Sequence, residues 1–399
     1  MKNKFYLVLA VLGVLFNSCT SDDTADIIIT DNSVTNNNGG GTTDPQTVFL
    51  SGTYTEDLTL DANMTYKVDG ALIMTSGTTL TIPAGMVIEA VASGSDVYIA
   101  ISNDAQIIAN GTASNPIILT SDSSAPQAGD WGGLILLGDA PINSVTGAAT
   151  ATSEIASLPY GGTDAADNSG ILRYVRVQYS GGAADGQSEN NGFSFYGVGS
   201  GTTVEYIQVF EGKDDGVEFF GGTVNVDYVS VVNAQDDSLD WTEGYSGMIT
   251  NAHVEHGTEH DKGIEADGYN TDIGNNSSPL FWSKPTVTNL TIIGNGSATG
   301  NEAIRLRAGT QGVFTNVLIE GFAEGFDLDG DAGATSSNPT GAGVISGDLS
   351  VTDVTFTDVT LQVKNDTGAA FADSDFLSGI GNATGTDFAT WGADWTVGN

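Results

Sequence analysis

A short block of alternating apolar and polar residues recurs six times between Gly192 and Gly330, and this repeat constrains the fold more than any other feature. Each block reads small, apolar, polar, apolar, variable and, in most copies, glycine. Consecutive blocks begin 24, 22, 25, 40 and 22 residues apart. Alternation with a period of two predicts a β-strand with one buried face. The blocks begin at Gly192, Gly216, Ser238, Gly263, Ala303 and Gly325.

A second block follows each copy of the first, and its first, fourth and sixth residues are apolar. The first apolar residue is out of phase with the other two, so a bend between them must restore the phase. The third residue is often Asn or Asp, as at Asn251 and Asp353, and these residues tolerate left-handed backbone dihedrals. The second blocks begin at Val204, Val226, Ile249, Val287, Phe314 and Val351.

Two strands and a corner in each repeat of 22 to 25 residues are typical of a solenoid. Little of the sequence favours helix, so one repeat is interpreted as one rung of a parallel β-helix. Equivalent residues on neighbouring rungs then stack about 4.8 Å apart. We predict an all-β chain whose β-helix occupies residues 47–365, followed by a C-terminal cap over residues 366–399. The rhythm breaks over residues 140–169, which predicts a surface loop.

The N-terminus has the pattern of an export signal. A basic start precedes the apolar run Phe5–Phe16, which is too short to span a bilayer comfortably. The run ends at Leu15-Phe16-Asn17-Ser18-Cys19, which resembles the lipobox of bacterial lipoproteins and contains the only cysteine of the chain. The resemblance implies a signal peptide over residues 1–18 and lipidation of Cys19. An ordinary signal peptide with an incidental cysteine is the alternative.

Acidic residues follow this cysteine at Asp22 and Asp23. The stretch is similar to the surface-display signal of Bacteroidetes-type lipoproteins, and that resemblance implies the outer face of the outer membrane. Residues 19–46 include the polar run Asn36–Thr43 and hold little to bury, so they are predicted to form a flexible tether.

Alternating strands closed by Gly or Pro turns precede the repeats, for example at Thr79–Ile88 and Ala105–Thr112. They resemble the first coils of right-handed parallel β-helix surface proteins, an architecture shared with pectate lyases, and the resemblance extends over Val48–Val363. It implies a right-handed parallel β-helix solenoid. It implies no activity, since such helices carry lyases, hydrolases, adhesins and inert spacers.

Stacking the first blocks predicts which side chains share the outer surface. Their second and fourth residues point into the core, and their third and fifth residues point outward. The third-position column is Ser194, Glu218, Asp240, Glu265, Arg305 and Asp327. The fifth-position column is Tyr196, Phe220, Thr242, Asp267, Arg307 and Asp329.

Carboxylates in register on adjacent rungs lie about 5 Å apart, which raises the pKa of one of them and matches the spacing in retaining glycosidases. The arginines alternatively serve only to neutralise the column. Tyr196 and Phe220 form a platform for a sugar ring unless the loop at residues 180–190 covers them. The candidate catalytic residues are Asp240, Glu265, Arg305 and Asp327. The candidate ligand-binding residues are Tyr196, Glu218, Phe220, Asp267, Arg307 and Asp329.

Two further groups have the residue types of metal ligands. Acidic turns at Asp214, Asp215, Asp236 and Asp237 precede first blocks and should stack, and their oxygen atoms suit calcium. Solvated turn aspartates are the alternative. All three histidines, His253, His256 and His260, lie close together in sequence beside acidic residues, which predicts a transition-metal site or simply a polar loop.

The charge balance narrows the range of partners. Fifty acidic residues against 11 basic ones give a net charge of −39, which argues against nucleic acid and against acidic polysaccharides unless calcium bridges them. We expect an outer-membrane lipoprotein, exposed at the cell surface, that binds glycans or a surface protein without catalysis. A polysaccharide lyase or glycoside hydrolase acting on the acidic face and a passive structural stalk are the alternatives.

Overall fold

The computed structural model describes residues 47–143, 150–183, 190–270, 279–299, 301–330 and 339–398. Parallel strands pair with one another along the described chain and wind into a solenoid. The predicted all-β parallel β-helix is therefore confirmed. The predicted signal peptide, the lipidation site Cys19 and the tether lie outside the described residues.

The strands and helices follow one another along the chain. The early strands are β1 (Thr47–Tyr54), β2 (Leu58–Thr59), β3 (Thr65–Met74), β4 (Thr79–Ile82), β5 (Val87–Ala90), β6 (Tyr98–Ile101), β7 (Gln106–Asn110), β8 (Ile117–Ser121) and β9 (Leu134–Leu137). An antiparallel pair follows, β10 (Ala151–Thr152) and β11 (Pro159–Tyr160). The repeats form β12 (Gly170–Gln178), β13 (Phe193–Tyr196), β14 (Thr203–Phe210), β15 (Val217–Phe220), β16 (Asn225–Val232), β17 (Leu239–Thr242), β18 (Met248–Glu255), β19 (Ile264–Asp267), β20 (Thr286–Ile293), β21 (Glu302–Arg307) and β22 (Gly312–Leu328). The remaining elements are α1 (Pro339–Ser346), β23 (Leu349–Asn365), α2 (Asp373–Phe376), β24 (Leu377–Ile380) and α3 (Phe388–Trp391).

The strands stack in three columns, here called faces 1, 2 and 3. Each first block is a strand on face 1, which runs through β6, β9, β13, β15, β17, β19 and β21 and the last residues of β22 and β23. Each second block is divided at its bend. Its residues before the bend pair on face 2 and those after it pair on face 3, as β14 and β16 show by pairing on both sides of Tyr206 and Tyr228.

The bend predicted in the second block is confirmed, and it consists of a left-handed residue at the third position. The φ angle is 57° at Asn251, 57° at Asn289 and 58° at Asn316. Tyr206 and Tyr228 adopt the same region, with φ of 56° and 61°. Because this region is unfavourable for residues with a Cβ atom, Asn is the residue type best suited to it after glycine.

Side chains at the bend form their own stack along the solenoid. Asn289 Nδ2 donates to Asn251 Oδ1 at 3.0 Å, and Asn316 Nδ2 donates to Asn289 Oδ1 at 2.8 Å. On the preceding rungs Tyr206 stacks on Tyr228 with ring centroids 4.2 Å apart. Neighbouring corners are therefore joined by amide hydrogen bonds or by ring stacking, which fixes the register of the rungs.

The inward residues of the first blocks form the core, as predicted. Each is at most 1% exposed, and burying a Val, Leu, Ile or Phe side chain contributes about 1.5–3 kcal/mol. The set is Phe193, Phe195, Val217, Phe219, Leu239, Trp241, Ile264, Ala266, Ile304, Leu306, Phe326 and Leu328.

The described part of residues 140–169 differs from the predicted surface loop. Its apolar side chains Ile142, Ile155 and Tyr160 are buried in a second apolar cluster on the outer side of face 1. The hydroxyl of Tyr160 donates to Glu243 Oε2 at 2.6 Å. This segment therefore forms a second layer over part of face 1.

The segment predicted as a C-terminal cap has two parts. Within residues 366–380, β24 pairs with β23, and Phe376 and Leu377 join the core. Residues 381–398, here called the strap, then run back along face 3. Their contacts begin at Thr355, whose hydroxyl donates to the Ala383 carbonyl at 2.8 Å, and reach Arg176, whose Nη1 donates to the Trp395 carbonyl at 2.6 Å.

Candidate ligand site on the acidic ladder

The third-position residues of the first blocks lie in register on face 1. Glu218 pairs with Asp240, Asp240 with Glu265, Glu265 with Arg305, and Arg305 with Asp327. The predicted column is therefore confirmed. The acidic ladder below means the four carboxylates of this column, Glu218, Asp240, Glu265 and Asp327.

The acidic turns adjoin the ladder and reinforce its negative charge. Asp215 Oδ1 accepts the backbone N–H of Asp237 at 2.9 Å, and Asp237 Oδ1 accepts that of Lys262 at 2.7 Å. Among the described residues, five groups of three carboxylates place oxygen atoms within 4.8 Å of one another. These groups are Asp214/Asp215/Asp236, Asp215/Glu218/Asp240, Asp236/Asp237/Asp261, Asp237/Asp240/Glu265 and Asp327/Asp329/Asp366.

Two basic side chains neutralise the middle of the ladder. Lys262 is 3% exposed, and its Nζ lies 3.0 Å from Glu265 and 3.6 Å from Asp237. Arg307 donates to Glu265 and, from Nε at 2.5 Å, to Asp267. Burial works against the charge of both cations, but the surrounding carboxylates prevail and raise the pKa of Lys262 and of Arg307. Both cations therefore stay charged at neutral pH.

Ion pairs also hold the far end of the ladder. Lys364 Nζ lies 3.0 Å from Asp327 Oδ2, and Arg305 Nε donates to Asp329 Oδ2 at 2.9 Å. Burial raises the pKa of Asp327, although its hydrogen bond to Lys364 acts in the opposite direction. With Glu265, which pairs with Lys262 and Arg307, three of the four catalytic candidates are thus held by ion pairs, the others being Arg305 and Asp327.

The other end of the ladder holds carboxyl groups with raised pKa values. Burial is the main cause of the raised pKa of Asp215, Glu218, Asp237 and Asp240, and neighbouring carboxylates add to it at Asp215, Glu218 and Asp240. Asp240 as a whole is only partly buried, yet its Oδ1 is enclosed and makes no hydrogen bond within the described part of the chain. A buried acceptor of this kind favours a proton, a cation or a ligand donor beside it.

A cavity of about 120 Å³ opens at this end of the ladder. Thr242, which is 7% exposed, brings to it a hydroxyl that makes no hydrogen bond to any residue the structure describes. The volume is below the roughly 300–1,000 Å³ of most small-molecule sites, so the cavity suits one unit of a larger ligand. The lining residues are Glu154, Glu218, Phe220, Asp240, Thr242, Asp267, Asn270 and Arg307.

The predicted aromatic platform is not open to solvent. Tyr196 and Phe220 stack with ring centroids 3.9 Å apart, but they are only 1% and 2% exposed. The cover comes from the described part of residues 140–169, since Tyr160 packs edge-on against Tyr196 at 4.9 Å. Tyr196 therefore offers no free ring face, and Phe220 contributes only to the cavity wall.

The three histidines do not converge on one point. His253 stacks on Phe388 of the strap with centroids 3.9 Å apart, whereas His256 and His260 contact each other at 4.2 Å. Among the described residues, the groups of close metal-ligand types contain acidic side chains alone. The histidine metal site therefore stays a prediction that this geometry does not favour.

Sequence reasoning missed three contributors to the site. Glu154 and Asn270 reach the cavity from segments outside the repeat, and no periodic signal marks them. Lys262 pairs with the ladder from the residue just before the fourth block. The whole sequence has only 11 basic residues, so a lysine directly before a first block was a signal that could have identified this contributor.

A family profile described as pectate-lyase like beta helix domain matches residues 52–396. The chain belongs to this family. The match to the pectate-lyase-like β-helix includes the repeats, the acidic ladder and most of the strap. A search of curated proteins found no match. Membership of the family accounts for the fold and leaves the reaction open. In the described part of this family member, every helix is too short or too polar to cross a membrane.

Proposed function

We propose that this pectate-lyase-like β-helix is the glycan-binding region of a bacterial cell-surface lipoprotein. The observation that supports this best is the composition of the ladder cavity. Carboxylates, the Asn270 amide, the Arg307 guanidinium and the Thr242 hydroxyl line this cavity together with the nearly buried Phe220. A sugar ring presents hydroxyls and C–H groups together, and a site with a few placed polar groups beside an aromatic ring is suited to both.

Binding without turnover agrees with the ion pairs of the site. Glu265 contacts both Lys262 and Arg307, and Asp267 contacts Arg307. These pairs hold the carboxylates as fixed acceptors for ligand hydroxyls. Charge-assisted hydrogen bonds from sugar hydroxyls to such acceptors are stronger than those between neutral groups.

A glycoside hydrolase or polysaccharide lyase is the second candidate, and one observation favours it. Asp237, Asp240 and Glu265 place carboxylate oxygens within 4.8 Å of one another. Retaining glycosidases use two carboxyl groups about 5–5.5 Å apart. The raised pKa of Asp240 would suit the proton donor of such a pair.

A glycan array combined with a reducing-sugar assay separates these functions. We expect Asp240→Asn and Thr242→Val to lose glycan binding, whereas Glu320→Gln, at an exposed acid away from the ladder, retains it. Release of reducing sugar without an unsaturated product, abolished in Asp240→Asn, would establish the hydrolase. Release of unsaturated product would establish the lyase. If the wild type neither binds nor cleaves any glycan, the passive structural stalk is the remaining function.

Calcium is proposed as an accessory ligand of the acidic turns. The group Asp214, Asp215 and Asp236 offers hard oxygen donors within 4.8 Å of one another, which fits calcium in chemical type. Three carboxylates are fewer than the six to eight oxygen ligands that calcium takes, so backbone carbonyls or water would have to complete the shell. Isothermal titration with calcium, compared between wild type and Asp236→Asn, measures this directly.

The cell-surface location is proposed from Cys19 and the acidic residues after it. We expect Cys19→Ala to prevent incorporation of labelled palmitate and to release the protein from the membrane fraction. Accessibility of the wild type to protease on intact cells tests the outward orientation. A soluble wild type without label would exclude lipidation.

A further inference from the structure

A second cavity, of about 460 Å³, lies at the corner that follows face 3. Four successive rungs contribute to it, through the residues that follow β14, β16, β18 and β20. The lining is polar throughout and differs from that of the ladder cavity. It consists of Glu211, Asn233, Gln235, His256, Gly257, Thr258, Glu259 and Asn295.

Backbone geometry and side-chain hydrogen bonds shape this corner cavity. Glu211 and Asn233 occupy left-handed positions with φ of 58° and 60°, and Asn233 Nδ2 donates to Glu211 Oε1 at 2.7 Å. Asn295 Nδ2 donates to the Gly257 carbonyl at 2.5 Å. A Cβ atom at Gly257 would lie 2.9 Å from Asn233 Oδ1, so glycine keeps this wall open. The corner is therefore a formed site rather than a gap between loops.

The imidazole in the wall is electrically neutral. His256 is 6% exposed, packs at a tilt against His260 and contacts Phe322 edge-on. Burial, together with the neighbouring His260, lowers the pKa of His256 to about 3. At neutral pH the side chains that line the cavity therefore carry the two negative charges of Glu211 and Glu259 and no positive charge.

We propose that this corner cavity binds a small hydroxylated ligand that carries a protonated amine, of the class of hexosamine sugars with a free amino group. The two carboxylates complement the ammonium group, and the carboxamides of Asn233, Gln235 and Asn295 offer donors and acceptors to hydroxyls. The volume falls within the roughly 300–1,000 Å³ range of small-molecule sites. Anionic sugars are repelled by the same carboxylates and by the net charge of −39.

This inference does not depend on the function proposed for the acidic ladder. The two cavities have no lining residue in common, and they lie on different parts of the rung. Variants at Asp240 therefore leave the corner cavity intact, and variants at Glu259 leave the ladder cavity intact.

Isothermal titration of the full chain with four matched compounds tests the proposal. Glucosamine carries both the amine and the hydroxyls, N-acetylglucosamine lacks the charge, glucose lacks the nitrogen, and putrescine lacks the hydroxyls. We expect glucosamine to bind at least about tenfold more tightly than each of the others, a difference of about 1.4 kcal/mol. Added salt weakens the binding because the cavity is open to solvent. Equal binding of N-acetylglucosamine or of putrescine would overturn the assignment, as would no binding of glucosamine.

Three variants connect the binding to this corner. We expect Glu259→Gln to weaken glucosamine binding about threefold by removing one exposed charge. We expect Gly257→Ala to weaken it as well by placing a Cβ against Asn233. Glu56→Gln, an equally conservative change at an exposed acid in the first coil, serves as the control. Thermal melting verifies that each variant folds. Unchanged affinity in a folded Glu259→Gln variant would place the ligand elsewhere and refute the proposal.

Discussion

The left-handed corner at Asn289 allows a quantitative test of how each rung turns. Asn289 has φ of 57° and takes part in two amide hydrogen bonds, with Asn251 and Asn316. Replacement by Ala removes both bonds, which contribute about 0.5–1.5 kcal/mol each. It also places an ordinary L-residue in the left-handed region, at a cost of about 1–2 kcal/mol. We expect Asn289→Ala to lower the free energy of unfolding by about 2–5 kcal/mol.

A glycine variant separates the two causes. Asn289→Gly loses the same hydrogen bonds but adopts positive φ freely, while the greater entropy of its unfolded chain costs about 0.5–1 kcal/mol. Thr288 precedes it on the same strand and is not among the residues with positive φ. The Ala and Gly variants of Thr288 therefore measure the entropic cost by itself.

The four variants are compared by urea denaturation followed by far-UV circular dichroism. The free energy of unfolding of the Gly variant minus that of the Ala variant is taken at each position. Subtracting the value at Thr288 from the value at Asn289 cancels the entropic cost of glycine and leaves the cost of the left-handed conformation. We expect about 1–2 kcal/mol in favour of glycine at Asn289. If glycine and alanine differ by the same amount at both positions, Asn289 is not a left-handed corner and the division of each rung into three faces is wrong.

Three further predictions concern the ladder, the strap and calcium. Burial and the neighbouring Glu265 raise the pKa of Asp240, so the folded protein binds a proton there more strongly than the unfolded chain does. The contribution of Asp240 to stability therefore falls as the pH rises from the ordinary carboxyl range through its folded pKa. In urea denaturation with a calcium chelator present, the stability of Asp240→Asn relative to wild type should therefore increase from pH 5 to pH 8. No increase would contradict the raised pKa. Trp395→Ala should lower the free energy of unfolding by about 3–5 kcal/mol, because this indole is 1% exposed and packs edge-on against Tyr206. In the same variant, hydrogen exchange at the backbone amide of Val397, which donates to Gln208, should accelerate, and unchanged exchange would argue against the strap. Calcium at 100 times its Kd should stabilise the protein by about 2.7 kcal/mol in thermal melting, and identical melting in chelator would exclude the site.

The repeat predicted the register of face 1 because every first block has the same phase. Glu218, Asp240 and Glu265 occupy the same position of successive blocks, and parallel pairing between rungs necessarily aligns them. The corner was predictable for a similar reason, since the apolar positions change phase at one residue and that residue is Asn or Asp on several rungs.

The cover over face 1 was not predictable from the same pattern. A period-two alternation tells which side of a strand faces the core, but it does not tell what lies on the other side. Tyr196 and Phe220 were correctly predicted to point outward, but the sequence left open whether they are exposed or covered by the loop at residues 180–190, and the cover observed is the described part of residues 140–169. The contact between Tyr160 and Glu243 joins positions 83 apart, and no local pattern encodes such a pairing.

The direction of the strap could not be predicted from the sequence either. Trp395 lies in the segment predicted as a cap for the last coil, yet it packs against Tyr206, which belongs to the first of the second blocks. The strap is held by hydrogen bonds to polar side chains on face 3, such as the two with Gln208 and the one with Thr291. Polar residues at those positions also suit contact with water, so the sequence did not distinguish a face covered by the strap from a face exposed to solvent.

The strap changes the way in which this solenoid should melt. A stack of rungs that contact only their neighbours loses its ends first and unravels piece by piece. Here the hydrogen bond from Arg176 to Trp395 spans 219 positions of the chain, and other contacts of the strap join the rungs between them. Fraying of the C-terminal rungs therefore requires release of a segment anchored as far back as β12, so the rungs from β12 to β23 come apart together as one cooperative unit.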